Sequence, residues 1–321
     1  MMTAATTSRP LSPALSRRTH IAWRDLAWLG WRQHRILIGL TTLGVAIVAG
    51  LLWWDAADLS HSTSYPLLTM VFLPCTAGVV GVFWGAPVLS GEYEQRTHLL
   101  VWSQDVSPLR WLTAKIVLLA ACAAILWGII GAADSTFIHA ITTNGHQVPF
   151  QYGPLGSVGF ESWIPLQMIY AVFGFALGLA VSALVRRTVA AMGITLVLFT
   201  AARFAVGLVR PNFVAPLRYA APPTWGLVSP PGLGSMPVGD SWSIDAAGHT
   251  VDFPAACVNY NNGDVSIPCA KAHGLVATYV DYQPGSRVLP FHLIEFGIFA
   301  ILAAALLAFA LYRIRSNRVI G

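Results

Sequence analysis

Two charged residues stand inside otherwise apolar runs: Arg203 within Val189–Val209, and Glu295 near the start of Phe291–Tyr312. A charge at the centre of a lipid-embedded helix costs about 2.5 to 3.5 kcal/mol, so each needs a local reason. For Arg203 two readings stand. Its long side chain snorkels to the nearer surface, or it turns inward to a carboxylate, for which Glu295 at a similar depth is the candidate. Cys257 and Cys269 are close enough in sequence for a disulfide that closes a short loop, worth about 3 kcal/mol, with two free thiols as the alternative. Cys75 and Cys122 fall inside apolar runs and read as small core residues. The four cysteines form no paired CxxC zinc pattern.

Other chemistry is absent or weak. Both lysines follow alanine (Ala114-Lys115, Ala270-Lys271), so there is no Gly-Lys phosphate loop and no ATP hydrolysis by that route. HExxH and GxSxG do not occur. His139, His146 and the HxxE formed by His292 and Glu295 read as structural rather than as metal ligands. Asn259–Asp264 lacks the acid spacing of a calcium loop and reads as a turn.

The elements that must hold these residues follow from composition. The chain has 321 residues, 55% hydrophobic and 10% charged, with a net charge of +5. That is too few charges to coat a soluble surface, and lipid removes the need for a coat. The positive charge is split into short clusters beside apolar runs, which reads as membrane orientation and argues against nucleic acid. Six runs are near the length of about 20 residues that spans the hydrocarbon core as a helix. They are Ile36–Trp54, Tyr65–Leu89 (bent by Pro66, Pro74 and Pro87), Trp111–Ala133, Ser162–Val185, Val189–Val209 and Phe291–Tyr312. The fold class expected is an all-α integral membrane protein with six transmembrane helices. Gly174 and Gly178 form a GxxxG in the fourth run and permit close helix approach, within the subunit or to a second copy.

Basic residues assign the sides. Fourteen lie before the first run, between the second and third, between the fourth and fifth, or after the sixth; four lie in the opposite loops. Both termini are therefore expected in the cytoplasm. The acids lean the other way, with Asp55, Asp58, Asp134, Glu161 and five aspartates of the last loop read as outside. No cleavable signal peptide is evident. The organisation expected is a disordered cytoplasmic tail over 1–18, an interfacial amphipathic helix over 19–35, and transmembrane helices one to five over 36–209. A cytoplasmic polar segment over 91–110 interrupts them. A large extracytoplasmic loop over 210–290, the sixth helix over 291–312 and a cytoplasmic tail over 313–321 follow. From its composition alone, 91–110 reads most simply as a solvated connector.

That segment also carries a resemblance. Gly85 to Lys115, GAPVLSGEYEQRTHLLVWSQDVSPLRWLTAK, resembles actinobacterial ABC-transporter permeases of the type-2 exporter superfamily. So do Trp31–Arg35, Arg186-Arg187-Thr188, Val209–Pro211, Tyr282–Arg287 and Ile294-Glu295. The resemblance implies a permease with an interfacial helix, a coupling helix between spans two and three, and a large loop before span six. It implies two permease subunits, copies or paralogues, working with two separate ABC ATPase subunits that bind ATP and Mg. No cofactor is then bound by this chain, which is no enzyme itself. Carried over, Glu92, Tyr93, Glu94, Gln95, Arg96 and Thr97 would meet the ATPase. Ser90-Gly91 stand where relatives carry Ala-Arg, so the start of the coupling helix is not fixed by the resemblance. The expectation is a permease in a bacterial plasma membrane that exports a hydrophobic or amphipathic compound. The competing readings are a non-transporting immunity or sensor protein, and an intramembrane enzyme built on Arg203, Glu295 and the outer loop.

Overall fold

The computed structural model describes residues 22–57, 73–94, 108–143, 152–226, 228–232, 234–259 and 264–316. Once water is gone each peptide group must find its partner inside its own segment, so the apolar runs become helices. Among the described residues, five are long and apolar enough to cross a membrane: Trp23–Ala57, Arg110–Thr143, Ile164–Ser182, Thr188–Asn212 and Gly285–Ser316. A shorter apolar helix, Cys75–Gly91, occupies the described part of the second expected run. Pro66 and the rest of that run before Leu73 lie outside the described residues, as do the tail up to Ile21, the segment 95–107, His146, the centre of the Asn259–Asp264 turn and residues 317–321.

The first helix, α1 (Trp23–Ala57), is one element of 35 residues. The boundary expected between 35 and 36 is not a helix end. Arg32-Gln33-His34-Arg35 contains no breaker, and Arg and Gln are good helix formers, so nothing stops propagation there. At about 1.5 Å per residue the helix reaches about 52 Å, well beyond a hydrocarbon core of about 30 Å.

The second run is broken by its own chemistry. α2 (Leu73–Val80) passes into a π-helical turn at Gly81–Gly85 and then α3 (Pro87–Glu94). Pro87 has no amide to donate, and its ring would collide with the carbonyl one turn earlier in a regular helix. The widened turn absorbs this, with the Ala86 amide bonding Gly81 O at 2.8 Å. α4 (Pro108–Thr143) extends ten residues past the expected Ala133. A short α5 (Ser157–Glu161) leads into α6 (Ile164–Ser182), then α7 (Thr188–Val209). Fourteen of the nineteen residues of α6 are buried, on all sides, which makes it the core helix.

The expectation of an all-α fold is corrected by the region between α7 and the last helix. It holds a four-stranded antiparallel sheet in the order β1-β6-β2-β3 and a two-stranded ribbon β4-β5. The strands are β1 (Leu217–Ala221), β2 (Met236–Asp245), β3 (Thr250–Val251), β4 (Val258–Asn259), β5 (Asp264–Val265) and β6 (Leu275–Gln283), with α8 (Ile267–Ala272) before β6. The Leu275–Gln283 stretch LVATYVDYQ is rich in β-branched and aromatic residues, which fit a pleated, half-buried surface. The pairing of β2 with β6 shifts register between Val238 and Trp242, around Gly239 at φ 74. α9 (Val288–Ser316) closes the chain.

The sheet is fastened to the helices at its base. Gln283, fully buried at the end of β6, donates to the carbonyls of Pro211 and Val214 just after α7. Arg287 donates to Ala215 O at 2.9 Å and to Gln283 Oε1 at 3.1 Å. The helix ends nearest the sheet form the sheet end of the bundle; Glu94 and Thr188 lie at the other.

Candidate functional site

The intramembrane charges meet at the sheet end. Arg203 lies more than three turns into α7, and its side chain is 9% exposed. It does not snorkel. Its Nη1 bonds Glu295 Oε1 at 3.2 Å and its Nη2 bonds Glu161 Oε1 at 2.5 Å. Glu295, about two turns into α9, is fully buried. Arg210, in the 3₁₀ turn that ends α7, grips it with Nε to Oε2 at 2.7 Å and Nη2 to Oε1 at 3.0 Å. The Tyr170 hydroxyl of α6 adds a bond to Oε1 at 2.6 Å. Two aromatic faces carry the guanidiniums: Arg203 Cζ lies 3.5 Å from the Tyr170 ring centroid, and Arg210 Cζ lies 4.1 Å from that of Phe160. His292 forms no pair with Glu295 as a ligand; its Nε2 lies 2.8 Å from Phe160 O and its ring stacks on Trp163.

Glu161 and Asp134, two of the acids read as lying on the outer side, are not solvated. Both are buried, at 7% and 0% exposure. Arg210, counted among loop residues, is also buried. The cluster therefore joins α5, α6, α7 and α9 through charge-assisted bonds in a medium that punishes any unpaired charge. The signal that sequence reading missed was position. Each of these three residues falls at the edge of an apolar run, where a buried and a solvated charge look alike.

At the opposite end Glu94 closes α3 against α7. Its carboxylate accepts the Thr188 amide at 3.0 Å and the Thr188 hydroxyl at 2.7 Å. Arg187, the residue preceding α7, makes no side-chain cap, so Glu94 supplies it from another helix. These bonds, with the Arg187 charge as a lesser cause, hold the Glu94 carboxyl below its ordinary pKa. Glu92 and Tyr93 lie in the same helical turn of α3; Gln95, Arg96 and Thr97 lie outside the described residues.

The two ends are joined by a glycine contact. Gly174 and Gly178 of α6 pack within the subunit, against the π turn. A Cβ at Gly174 would come within 2.8 Å of Ala77 O, and one at Gly178 would overlap Gly81 O. Gly81 and Gly85 answer in kind, facing the carbonyls of Gly174 and Phe175. This second GxxxG, Gly81 to Gly85, was present in the sequence but not singled out.

In the sheet region Cys257 and Cys269 are joined in a disulfide with Cα atoms 5.5 Å apart. His273 Nδ1 lies 3.6 Å from Cys257 Sγ, but oxidised sulfurs supply no thiolate for a metal. A cleft of about 420 Å³ beside β2 is lined by Trp225, Asp240, Trp242, Asp252 and Phe253 among others. Cys75, expected in a core, is exposed, and Cys122 is half-buried.

No curated protein matches the chain. The helices make it a multi-pass membrane protein, and the region from the end of α1 through the buried Arg210 is the part with recognisable kin: residues 54–210, just under half of the chain, match the family model described as ABC-2 membrane transporter related, which supports a membrane transporter component of the ABC-2 permease type.

Proposed function

We propose that this chain is the permease subunit of an ATP-binding-cassette exporter. A separate ATPase subunit, carrying ATP and Mg, drives it, and a second permease, copy or paralogue, completes the pathway for a hydrophobic or amphipathic compound. The end of α3 faces the cytoplasm and the sheet faces outside in this reading, which the distribution of basic residues supports. The observation that carries it is the Glu94–Thr188 clasp within the segment matched to the family. A motor pressing on the polar segment that follows α3 moves the start of α7 with it. α7 is a rod of 22 residues whose far end carries Arg203 and leads to Arg210. Displacement at one end is thereby delivered to the ion cluster at the other.

The test is capture from native membranes with a tagged chain, followed by mass spectrometry and ATPase assay. An ABC ATPase that co-purifies, and whose turnover changes with Glu94→Ala, supports the reading. A chain that protects cells from a toxin in a strain without any such ATPase would overturn it. The aromatic and acidic cleft beside β2 is the observation that keeps this second reading, a non-transporting sensor or immunity protein, in view.

A further inference from the structure

The buried cluster does not balance its charge. Three buried carboxylates accompany two guanidiniums, Arg203 and Arg210, whose ion pairs are to Glu161 and Glu295, with Arg203 Nε left without a hydrogen-bond partner among the described residues. Asp134 is left over. It is fully buried on α4, and neither carboxylate oxygen has a hydrogen-bond partner among the described residues. Two further buried acceptors are equally unpaired, Glu161 Oε2 and Gln167 Oε1.

These atoms belong to one place. Gln167, 1% exposed, donates through Nε2 to the Glu161 backbone carbonyl at 3.0 Å. Its side chain lies over Gly131, where an added Cβ would come within 3.3 Å of Gln167 Cβ and Cγ. Asp134 stands one helical turn after Gly131 on the same face of α4. Glu161 is the charged group that acts on it. The other titratable groups of the surrounding elements are engaged or remote. His292 of α9 is bonded to Phe160 O, and Tyr170 of α6 to Glu295. Asp55 lies near the end of α1 and His139 further along α4.

A buried carboxylate with neither counter-charge nor donor is costly inside a membrane protein. Four acceptor oxygens lack one thing, a donor. We propose that Asp134, Glu161 and Gln167 form a proton-binding site in the membrane domain. One proton taken from water converts the Asp134 carboxylate to a carboxylic acid. Its new O–H is donated to Glu161 or Gln167, and the cluster becomes neutral. The proton returns to water when the helices around it part. Because Asp134 stands on α4 while Glu161 and Gln167 stand on α5 and α6, opening the sheet end of the bundle separates Asp134 from its acceptors. The inference rests on charge and hydrogen-bond accounting alone, and holds whether or not an ATPase drives the chain.

The test uses the purified full-length chain in detergent. Infrared spectra of the wild type show the carbonyl stretch of a protonated carboxylic acid, shifted in D₂O and lost in Asp134→Asn. Glu161→Gln, which removes the neighbouring charge but keeps an acceptor, shifts that band. In parallel, melting temperature is followed against pH. Unfolding exposes Asp134 to water, where it ionises above about pH 4. The wild type therefore loses stability relative to Asp134→Asn as pH rises, by up to about tenfold in the unfolding constant per pH unit, until the folded site itself ionises. Absence of the acid band in the wild type, or a band unmoved by Glu161→Gln, overturns the proposal. So does a melting temperature that rises with sodium chloride but not with choline chloride, which would make the occupant a metal cation.

Discussion

Glu94, the last residue of α3, holds Thr188, the first residue of α7, by its backbone amide and its hydroxyl together, at 3.0 and 2.7 Å. The amide is one of the four that every helix leaves unsatisfied at its start, and the carboxylate also complements the positive end of the helix dipole. Glu94→Ala removes both effects. Amide exchange in the first turn of α7 is expected to accelerate several-fold, while exchange around Arg203 stays unchanged. Glu94→Gln keeps an acceptor and should fall between. Hydrogen-exchange mass spectrometry reads this directly, and equal exchange in wild type and Glu94→Ala would remove the clasp from the coupling argument.

The same contact has a pH signature. Thr188 bonds depress the Glu94 carboxyl, so the folded value lies below the unfolded one. A group of that kind contributes fully above its unfolded pKa, and its contribution disappears as pH falls through the folded value. First-turn protection of α7 should therefore persist at neutral pH and fade below the usual carboxylate range. In Glu94→Ala, after correction for intrinsic exchange, it should be low and flat across the same range.

Arg210 grips Glu295 side-on through two charge-assisted bonds, a two-point geometry that fixes both partners. Glu295→Gln keeps the shape and leaves two guanidiniums facing a neutral amide in a dry site. Removing one partner of a buried pair costs about 3 to 5 kcal/mol. The exposed pair Arg218–Asp281, with the arginine side chain 61% accessible, is the internal control. Thermal unfolding in detergent should show a large fall for Glu295→Gln and a slight one for Asp281→Asn.

Arg203 and Glu295 were legible in the sequence because a charge inside an apolar run is expensive wherever it points. Their companions were not. Asp134 stands one residue beyond the expected end of its run, Glu161 one residue before the next, and Arg210 one after another. At such boundaries residue type does not distinguish water from a helical partner; only the extension of α4 to Thr143 and the turn at Arg210–Asn212 decide it. The helices were readable because length and hydropathy fix them. The sheet was not placed, although the β-branched and aromatic Leu275–Gln283 signals a strand. Its partners β1 and β2 come from a stretch rich in Pro and Gly, whose pairing depends on contacts distant in sequence. The junction at 35/36 failed for the opposite reason: a change in polarity along a helix does not end the helix.

The disulfide closes a short loop, Cys257 and Cys269 being twelve residues apart. Its loss in the double variant Cys257→Ser/Cys269→Ser should cost about 3 kcal/mol of unfolded-state restraint. That cost should be confined to the region of β4, β5 and α8, which carries no other covalent tie. Limited proteolysis is expected to cut there faster under reducing conditions, while cleavage within the helices stays the same. Equal proteolysis with and without reductant would mean that the turn is held by its hydrogen bonds alone.

The contact of α6 with the π turn gives the sharpest steric test. At Gly178 and Gly81 the obstacle to a methyl group is backbone, not a flexible side chain that could swing away. Overfilling a packed site costs about 1 to 3 kcal/mol, and a backbone obstacle puts these two at the upper end. Gly44 in α1 has nothing within 4 Å of an added Cβ, and alanine there gains the helix propensity that glycine lacks. The expected order of melting temperatures is Gly44→Ala at or above wild type, with Gly178→Ala and Gly81→Ala several degrees below. If Gly178→Ala melts with the wild type, the π turn does not lie against α6, and the link from the Glu94 end of the bundle through its core helix to Tyr170 and Glu295 goes with it.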